Sequence, residues 1–371
     1  MSNKPGFVFL DNNSTTELTQ EVSGVLMDLV ISNLYGNPSS THAFGIRTRA
    51  VVEASRYHLA AVLGCGQNEI YFTSGGTESN NLAIRGVYNI YADQDNEVVM
   101  SAGEHSSIAN TVQAVATEDK VRLIPLTSTG ELDLGWADRL ITEQTSLVSV
   151  MLANNETGVI FPVKRLVEIA HSRGALVHCD AVQAFGKIPI DVKDLGVDLL
   201  SVSGHKAHSL PGVGALYVRK GIQIHPILSG GRQENTLRPG TENYISIASL
   251  GAVAGELVRE GVNCLSGLRD AFEKSLLKRI PGVVINGLAA ERIFNTSNVI
   301  FKGVHASTMV EALSERAVLV SAGAACSSGL IKPSRTLKSM GLSDEDALSA
   351  VRFSFSKYST HFDASVAIEE C

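Results

Sequence analysis

Asp198-Leu199-Leu200-Ser201-Val202-Ser203-Gly204-His205-Lys206 decides how the rest of the chain is read. Asp198 to Val202 is short, apolar and bounded by Gly196 and Gly204, the pattern of a buried strand. It runs into Ser-x-His-Lys, so a hydroxyl, an imidazole and an amine stand at its carboxyl end. In α/β folds ligands bind outside the carboxyl ends of the strands. A lone lysine there reads more readily as a surface charge, but this one is not alone. Upstream, Ala175-Leu176-Val177-His178-Cys179-Asp180 is a second strand, and it ends in a carboxylate. A carboxylate and a lysine at neighbouring strand ends suit a pyridinium and the aldehyde beside it. That is the chemistry of pyridoxal phosphate held as a Schiff base.

Outward from this pair, strands and helices alternate. Strands are predicted at Glu69 to Thr73, Glu97 to Ser101, Val121 to Leu126 and Ser146 to Leu152, with Val213 to Val218 pairing back. Helices are predicted at Glu21 to Leu34, Thr48 to Leu63, Glu78 to Tyr91, Ser107 to Ala116, Asp133 to Ile141 and Val163 to Arg173. The alternation implies a mostly parallel sheet covered by helices on both faces. A long helix, Ile245 to Arg259, carries the chain out of a large domain, residues 16–250. Residues 1–15 and 251–371 form a smaller α+β domain. Its strands are Val283 to Gly287, Thr296 to Phe301 and Val318 to Ser321, and its helices Leu268 to Arg279, Thr308 to Arg316 and Asp344 to Val351. Ala322 to Leu342, rich in Gly, Ser and Pro and carrying Cys326, is longer than the usual connection.

The totals narrow the function. With 371 residues and 44% hydrophobic content the chain can bury a large core. A net charge of -7 argues against a general nucleic-acid surface. The opening MSNKPGFVFLDNNSTT is no signal peptide, and no apolar run reaches the length of a membrane span. Five scattered cysteines without a C-x-x-C pair speak against a disulfide framework or a zinc site and for a reducing, cytoplasmic compartment.

Several strand ends carry polar residues suited to one aromatic phosphate. Thr73-Ser74-Gly75-Gly76-Thr77-Glu78 joins a strand to a helix and can cradle phosphate on free N–H groups; it also reads as an ordinary tight turn. Ser203 and His205 approach the same phosphate. Asp180 would pair with the pyridine nitrogen, and Gln183 and Asn155 with the ring phenolate. As plainer readings, Asp180 is a capping residue and Asn155 a turn asparagine. His105 can stack on the ring and move protons, or simply cap the next helix. Arg352 can grip a substrate carboxylate bidentately, or form a surface ion pair. Cys326, among small residues, is a candidate soft nucleophile. Cys65, Cys179 and Cys264 read as packing residues, and Cys371 as an exposed terminus.

Leu10-Asp11, Gly36-Asn37-Pro38-Ser39-Ser40, Ser74-Gly75-Gly76-Thr77-Glu78-Ser79-Asn80, Asn154-Asn155-Glu156, Asp180-Ala181-Val182-Gln183, Ser203-Gly204-His205-Lys206 and Arg352-Phe353-Ser354 together resemble the NifS/IscS-type cysteine desulfurases, fold-type I pyridoxal-phosphate enzymes. The similarity runs over essentially the whole chain. The long loop around Cys326 resembles the NifS/IscS class rather than the SufS class. The resemblance implies that Lys206 is the Schiff-base lysine and that His105 acts in proton transfer. Asp180 would hold the ring nitrogen, and Gln183 and Asn155 the phenolate oxygen. The phosphate would lie on Gly76, Thr77, Ser203 and His205, with Thr241 from the partner subunit of a homodimer. Asn13, Asn155 and Arg352 would lie near the substrate carboxylate. L-cysteine would become alanine while Cys326 takes up the sulfur as a persulfide and passes it to an acceptor protein. Iron–sulfur assembly, tRNA thiolation and DNA phosphorothioation all use such enzymes.

The chain departs from the family pattern at Ala207-His208-Ser209-Leu210-Pro211, Ser14, Glu17, Ala324 and Arg335, none of them a catalytic group. Two other readings compete. One is a different pyridoxal-phosphate reaction, such as a C–S lyase, selenocysteine lyase or aminotransferase. The other is a non-enzymatic scaffold, which would need none of Lys206, His105, Asp180 and Cys326.

Overall fold

The computed structural model describes residues 6–90, 96–262, 267–322 and 332–371. Cys326, Cys264 and Ala324 lie outside the described residues. The chain opens with β1 (Val8–Phe9), α1 (Gln20–Ile31) and α2 (Ala43–Leu63). An alternating series follows: β2 (Ile70–Thr73), α3 (Gly76–Tyr88), β3 (Glu97–Ser101), α4 (Ser106–Val115), β4 (Val121–Ile124), α5 (Leu134–Leu140), β5 (Thr145–Met151), α6 (Val163–Ser172), β6 (Leu176–Asp180), α7 (Val192–Leu195), β7 (Leu199–Ser203) and β8 (Gly214–Val218). Then come α8 (Tyr244–Glu260), α9 (Leu268–Arg279), β9 (Val283–Asn286), β10 (Thr296–Phe301), α10 (Ala306–Glu315), β11 (Val318–Leu319), α11 (Arg335–Ser339), α12 (Asp344–Leu348), β12 (Ala350–Ser354) and α13 (His361–Glu370).

Seven strands form one sheet in the order β2-β8-β7-β6-β5-β3-β4. Only β8 runs against its neighbours, so the other six strands end along one edge. The apolar runs that predicted buried strands serve both faces at once. Val98, Met100, Leu147, Leu199 and Leu216 pack on one side, and Val99, Val148, Val150, Val177, Leu200 and Val202 on the other. This is the period-2 alternation of a sheet covered twice. His178 is the polar exception. It is buried in β6 with Nδ1 2.9 Å from Ser149 Oγ on β5 and Nε2 2.9 Å from Ser201 Oγ on β7. Burial pushes its pKa down to about 3, so it is a neutral cross-tie.

A second core gathers Leu10, Phe272, Phe301, Phe353 and Phe355 around the antiparallel sheet β12-β10-β9. The chain's opening is built into it. β1 pairs in parallel with β11, and Leu10 and Asn12 exchange main-chain hydrogen bonds with Ser354. This threads residues 11–14 into the space beside the large sheet's strand ends. No helix among the described residues is long and apolar enough to cross a membrane.

The structure departs from the predicted elements in several places. The helix expected through Val351 stops at Leu348; Ala350–Ser354 is a strand, buried throughout and paired with β10. Val351 and Phe353 turn into the second core while Ser321 and Asn298 meet Arg352, an alternation that the preceding acidic helix hid. The strand read at Val318 to Ser321 is present but shorter, Val318–Leu319, and pairs with β1 outside the three-stranded sheet. The 322–342 stretch, read as loop, contains α11, capped by Ser334 Oγ accepting from Leu337 N. The closing helix α13 was not predicted, although Thr360 and Asp363 form its capping box.

Candidate active site

Because six strands end on one edge, their terminal residues converge. Lys206 follows β7 on a single turn of 3-10 helix, Gly204–Lys206. Its Nζ donates to the main-chain oxygens of Asn13 at 2.7 Å and Ser14 at 2.5 Å. Burial, and then the nearby Arg352 guanidinium, push its pKa down to about 8. The amine is therefore far closer to being a base near neutrality than an ordinary lysine.

Asp180 ends β6, next to β7. Its carboxyl accepts from Val182 N at 2.9 Å and from Asn80 Nδ2 at 2.8 Å. Burial still raises its pKa, so a cation brought against it would be held tightly. His105 caps α4: its Nδ1 accepts from Ser107 N at 3.1 Å. With Nδ1 an acceptor, the proton of the neutral ring sits on Nε2. Burial lowers the His105 pKa, and the Asp180 charge works against that. The two readings of His105, cap and proton carrier, are compatible, because each uses a different nitrogen.

The turn at Thr73-Ser74-Gly75-Gly76 leads into α3. Gly75 has φ +154°, and a Cβ there would meet nothing within 4 Å. The turn thus faces open space at the positive end of a helix. It sits against β8 because Gly214 has no side chain; a Cβ there would come within 2.7 Å of Gly75. Gly76 and Ser203 are buried beside the turn, while Thr77 is exposed. His205 Nδ1 lies 3.3 Å from Thr15 Oγ1, and burial, then Lys206, lower its pKa to about 4. Burial would raise the Glu78 carboxyl, but hydrogen bonds from Arg238 and Ser74 more than offset it and hold it low. Arg238 Nε donates to Glu78 at 2.8 Å, which draws the 238–241 loop to its own chain's turn; Thr241 is exposed.

Asn13 is the hub that links the sheet edge to the second core. Its Nδ2 donates to Thr296 Oγ1 at 2.8 Å and to Asn155 O at 3.2 Å. Its main-chain oxygen also accepts from Gln183 Nε2 at 2.9 Å. Arg352 is buried, not a surface ion pair. It donates to Asp11 Oδ1 at 2.7 Å and to Asn155 O at 3.1 Å, and its Nε has no partner among the described residues. Asn155 is engaged through its main-chain oxygen. The structure therefore brings Lys206, Asn13, Gln183, Asn155 and Arg352 into one network, with Asp180 and His105 alongside.

Sequence reasoning missed several members of this constellation. Asp11, Asn80, Lys187, Asn295 and Thr296 all bond to predicted site residues. Lys187 had a signal, its spacing of four from Gln183, which puts the two on one side of a turn. Glu104 is another: its carboxyl accepts from Ser101 Oγ and Met151 N, and burial raises its pKa to about 8. Burial likewise raises Glu156, which hydrogen bonds from Ser334 and Thr336 partly offset. Cys371 is half-buried against the second core rather than exposed, and burial raises its pKa to about 12.

The donor set fits pyridoxal phosphate. A buried carboxylate suits the ring nitrogen, an amine of lowered pKa suits the aldehyde, and a glycine turn open at a helix start suits the phosphate. Comparison with known proteins agrees. Residues 8–366 match the family described as aminotransferase class-V. A cysteine desulfurase of Nostoc sp. strain PCC 7120 is 38% identical over 366 residues, 98% of this chain and 91% of that one. A solved NifS-like protein superposes with a TM-score of 0.90 at 33% identity, over 98% of both chains. The structure titled SspA in complex with cysteine superposes with a TM-score of 0.83 at 29% identity, over 95% of this chain and 99% of that one.

Proposed function

The chain belongs to the class-V aminotransferase family, as a pyridoxal-phosphate-dependent cysteine desulfurase, and from that premise we propose how its residues divide the conversion of L-cysteine to L-alanine. Pyridoxal phosphate, when bound, supplies an electron sink for the charge released at the substrate's α-carbon. Asp180 would hold the ring nitrogen protonated, and Gln183 and Asn155 would hold the ring oxygen. Gly76, Thr77, Ser203 and His205 hold the phosphate. Arg352, steadied by Asp11, grips the substrate carboxylate, with Asn13 and Asn155 beside it. Lys206, its amine lowered to about 8, would hold the cofactor's aldehyde and serve as the base that takes the α-proton. His105 moves a proton through Nε2 while Nδ1 stays on Ser107.

Cys326 thiolate attacks the substrate sulfur. The C–S bond breaks, an S–S bond forms, and the electron pair returns to carbon, which takes up protons to give alanine. The persulfide on Cys326 then passes its outer sulfur to a thiol of an acceptor protein. The observation that best supports this reading is the convergence of Lys206 and Arg352 on the Asn13–Asn155 network. It puts an amine of lowered pKa and a carboxylate-binding guanidinium on one small cluster.

A second copy of the chain is the partner we infer for one exposed face. Met27, Val30 and Ile31 on α1 are exposed at helical spacing, and Tyr35, just after α1, stacks at 4.7 Å on Phe44 at the start of α2. In such a homodimer Thr241 would complete the partner's phosphate site.

The test is product analysis. The protein is incubated with L-cysteine, pyridoxal phosphate and a reducing thiol, with Cys326→Ala in parallel. Alanine matching sulfide, and lost in the variant, is the expected result. Pyruvate and ammonia in both proteins would overturn the persulfide route in favour of a lyase.

A further inference from the structure

Lys187 lies outside the predicted chemistry, yet it is buried, with 6% of its surface exposed. The Asp180–Gln183 strand end continues as a tight turn: Phe185 N donates to Ala181 O at 2.8 Å and Lys187 N to Ala184 O at 2.9 Å. The turn brings Lys187 back over Gln183. Its Nζ donates to Gln183 Oε1 at 2.7 Å and to Asn13 Oδ1 at 2.9 Å.

An amine bonded in this way selects one end of an amide. Both of its contacts here are donations to amide oxygens, so the end of Gln183 facing it is the oxygen. The NH2 end is thereby turned the other way, where it donates at 2.9 Å to the Asn13 main-chain oxygen. That same oxygen receives Lys206 Nζ at 2.7 Å. Asn13 is fixed similarly, since Asn295 Nδ2 also donates to its Oδ1 at 3.1 Å. Reversed, Gln183 would set a carbonyl against another acceptor. We propose that Lys187 is a positioning residue that fixes the Gln183 amide with its N–H end toward the cofactor's ring oxygen, and through Asn13 seats the Lys206 amine. This rests on the pyridoxal-phosphate reading above.

The surroundings say that Lys187 is not there for stability. Burial pushes its amine well below the ordinary value, and Lys206 and Arg352 push it the same way. A cavity of about 40 Å³ that both lysines line is also lined by Glu256 and Lys357, which pair with each other. A buried amine whose charged form is opposed by burial and by Lys206 and Arg352 is costly to keep, and an apolar side chain of similar length would pack at lower cost.

The experiment titrates the visible absorbance of the bound cofactor against pH and follows thermal melting alongside. Donation to the ring oxygen withdraws charge and lowers the pH at which the adjacent Schiff-base proton leaves. Lys187→Met is expected to bind cofactor, melt cooperatively and titrate about one unit higher, a tenfold change. Lys187→Gln, which keeps an N–H, should move less than half as far. In a Gln183→Met background, Lys187→Met should add nothing. An unmoved midpoint in folded, cofactor-loaded Lys187→Met overturns the proposal. So does an equal shift without Gln183, which would mean direct charge repulsion. Should Lys187→Met not fold, Gln183→Glu carries the test, because it turns an oxygen to the ring. It should titrate at least about one unit higher, and no shift overturns the proposal. A wild-type protein that develops no visible band would instead overturn the cofactor reading itself.

Discussion

Lys206 Nζ donates at 2.7 Å to the main-chain oxygen of Asn13, 193 residues upstream. The contact ties the end of a central strand of the large sheet to a segment held by the second core. It also places the reactive amine against two carbonyls instead of a carboxylate. That choice matters, because a carboxylate partner would raise the amine's pKa, whereas burial here lowers it.

The first prediction is a pH dependence. The Lys206 amine sits at about 8 in the fold against an ordinary 10.5. Between those values the unfolded chain binds the proton and the folded one releases it, so stability rises with pH across this window. Lys206→Met removes the group. The stability of the cofactor-free wild type relative to this variant should therefore climb by up to about 3 kcal/mol from pH 8 to pH 10.5. Chemical denaturation at three pH values measures it. A difference that does not change with pH would mean an unperturbed amine.

Asn80 yields the second prediction. Its Nδ2 donates to Asp180 at 2.8 Å and to Ser107 Oγ at 2.9 Å, behind the residue assigned to the ring nitrogen. Asn80→Leu leaves the carboxylate oxygen without its donor. A hydrogen bond to a charged group contributes about 1.5–3 kcal/mol. Cofactor affinity should fall roughly 10- to 100-fold, with alanine formation restored at high cofactor concentration. Equilibrium binding followed by absorbance checks this, and unchanged affinity would show that Asp180 needs no second support.

How much of this was legible depends on sequence distance. The parallel sheet could be read because each strand carries its own apolar run and its own turn. Lys206, Asp180, His105 and the Gly75–Gly76 turn could be read because each sits at a strand end. What stayed hidden is what crosses the chain. Nothing near Asn13 announces that Thr296, Asn295 and Lys187 will surround it, since those partners are supplied by other elements. β12 was hidden by local context, an acidic helix directly before it. Glu104 was hidden because a carboxyl beside a histidine looks solvent-bound until its burial is known.

The third prediction concerns thiol selectivity. Burial raises the Cys65 and Cys371 thiols to about 12 and Cys179 well above its usual value. At pH 7.5 their thiolate fractions fall roughly a thousandfold or more below that of an ordinary cysteine. Brief treatment of the native protein with iodoacetamide should leave all three unlabelled, as read by peptide mass spectrometry. Rapid labelling of Cys371 would mean that α13 does not stay packed on the second core.

The last prediction separates a neutral Glu104 from a charged one. Its Oε1 accepts from Ser101 Oγ and from Met151 N at 2.9 Å, while Oε2 is buried without a partner among the described residues. Burial, helped by the Asp180 charge, raises the pKa from 4.5 to about 8. The folded protein therefore keeps this proton between pH 4.5 and 8 where the unfolded chain gives it up, and stability falls as pH rises through that window. Glu104→Gln keeps the shape and the neutral charge but cannot titrate. The wild type should lose stability relative to this variant as pH goes from 4.5 to 8, by up to about 5 kcal/mol. Desulfuration at pH 7 should stay within about threefold, because Asp180 sees an uncharged neighbour in both proteins. Denaturation curves of the two proteins at pH 5, 6.5 and 8 decide the matter. A constant difference, or a large rate change in the variant, would mean that Glu104 is ionised at neutral pH and that Asp180 works beside a second negative charge.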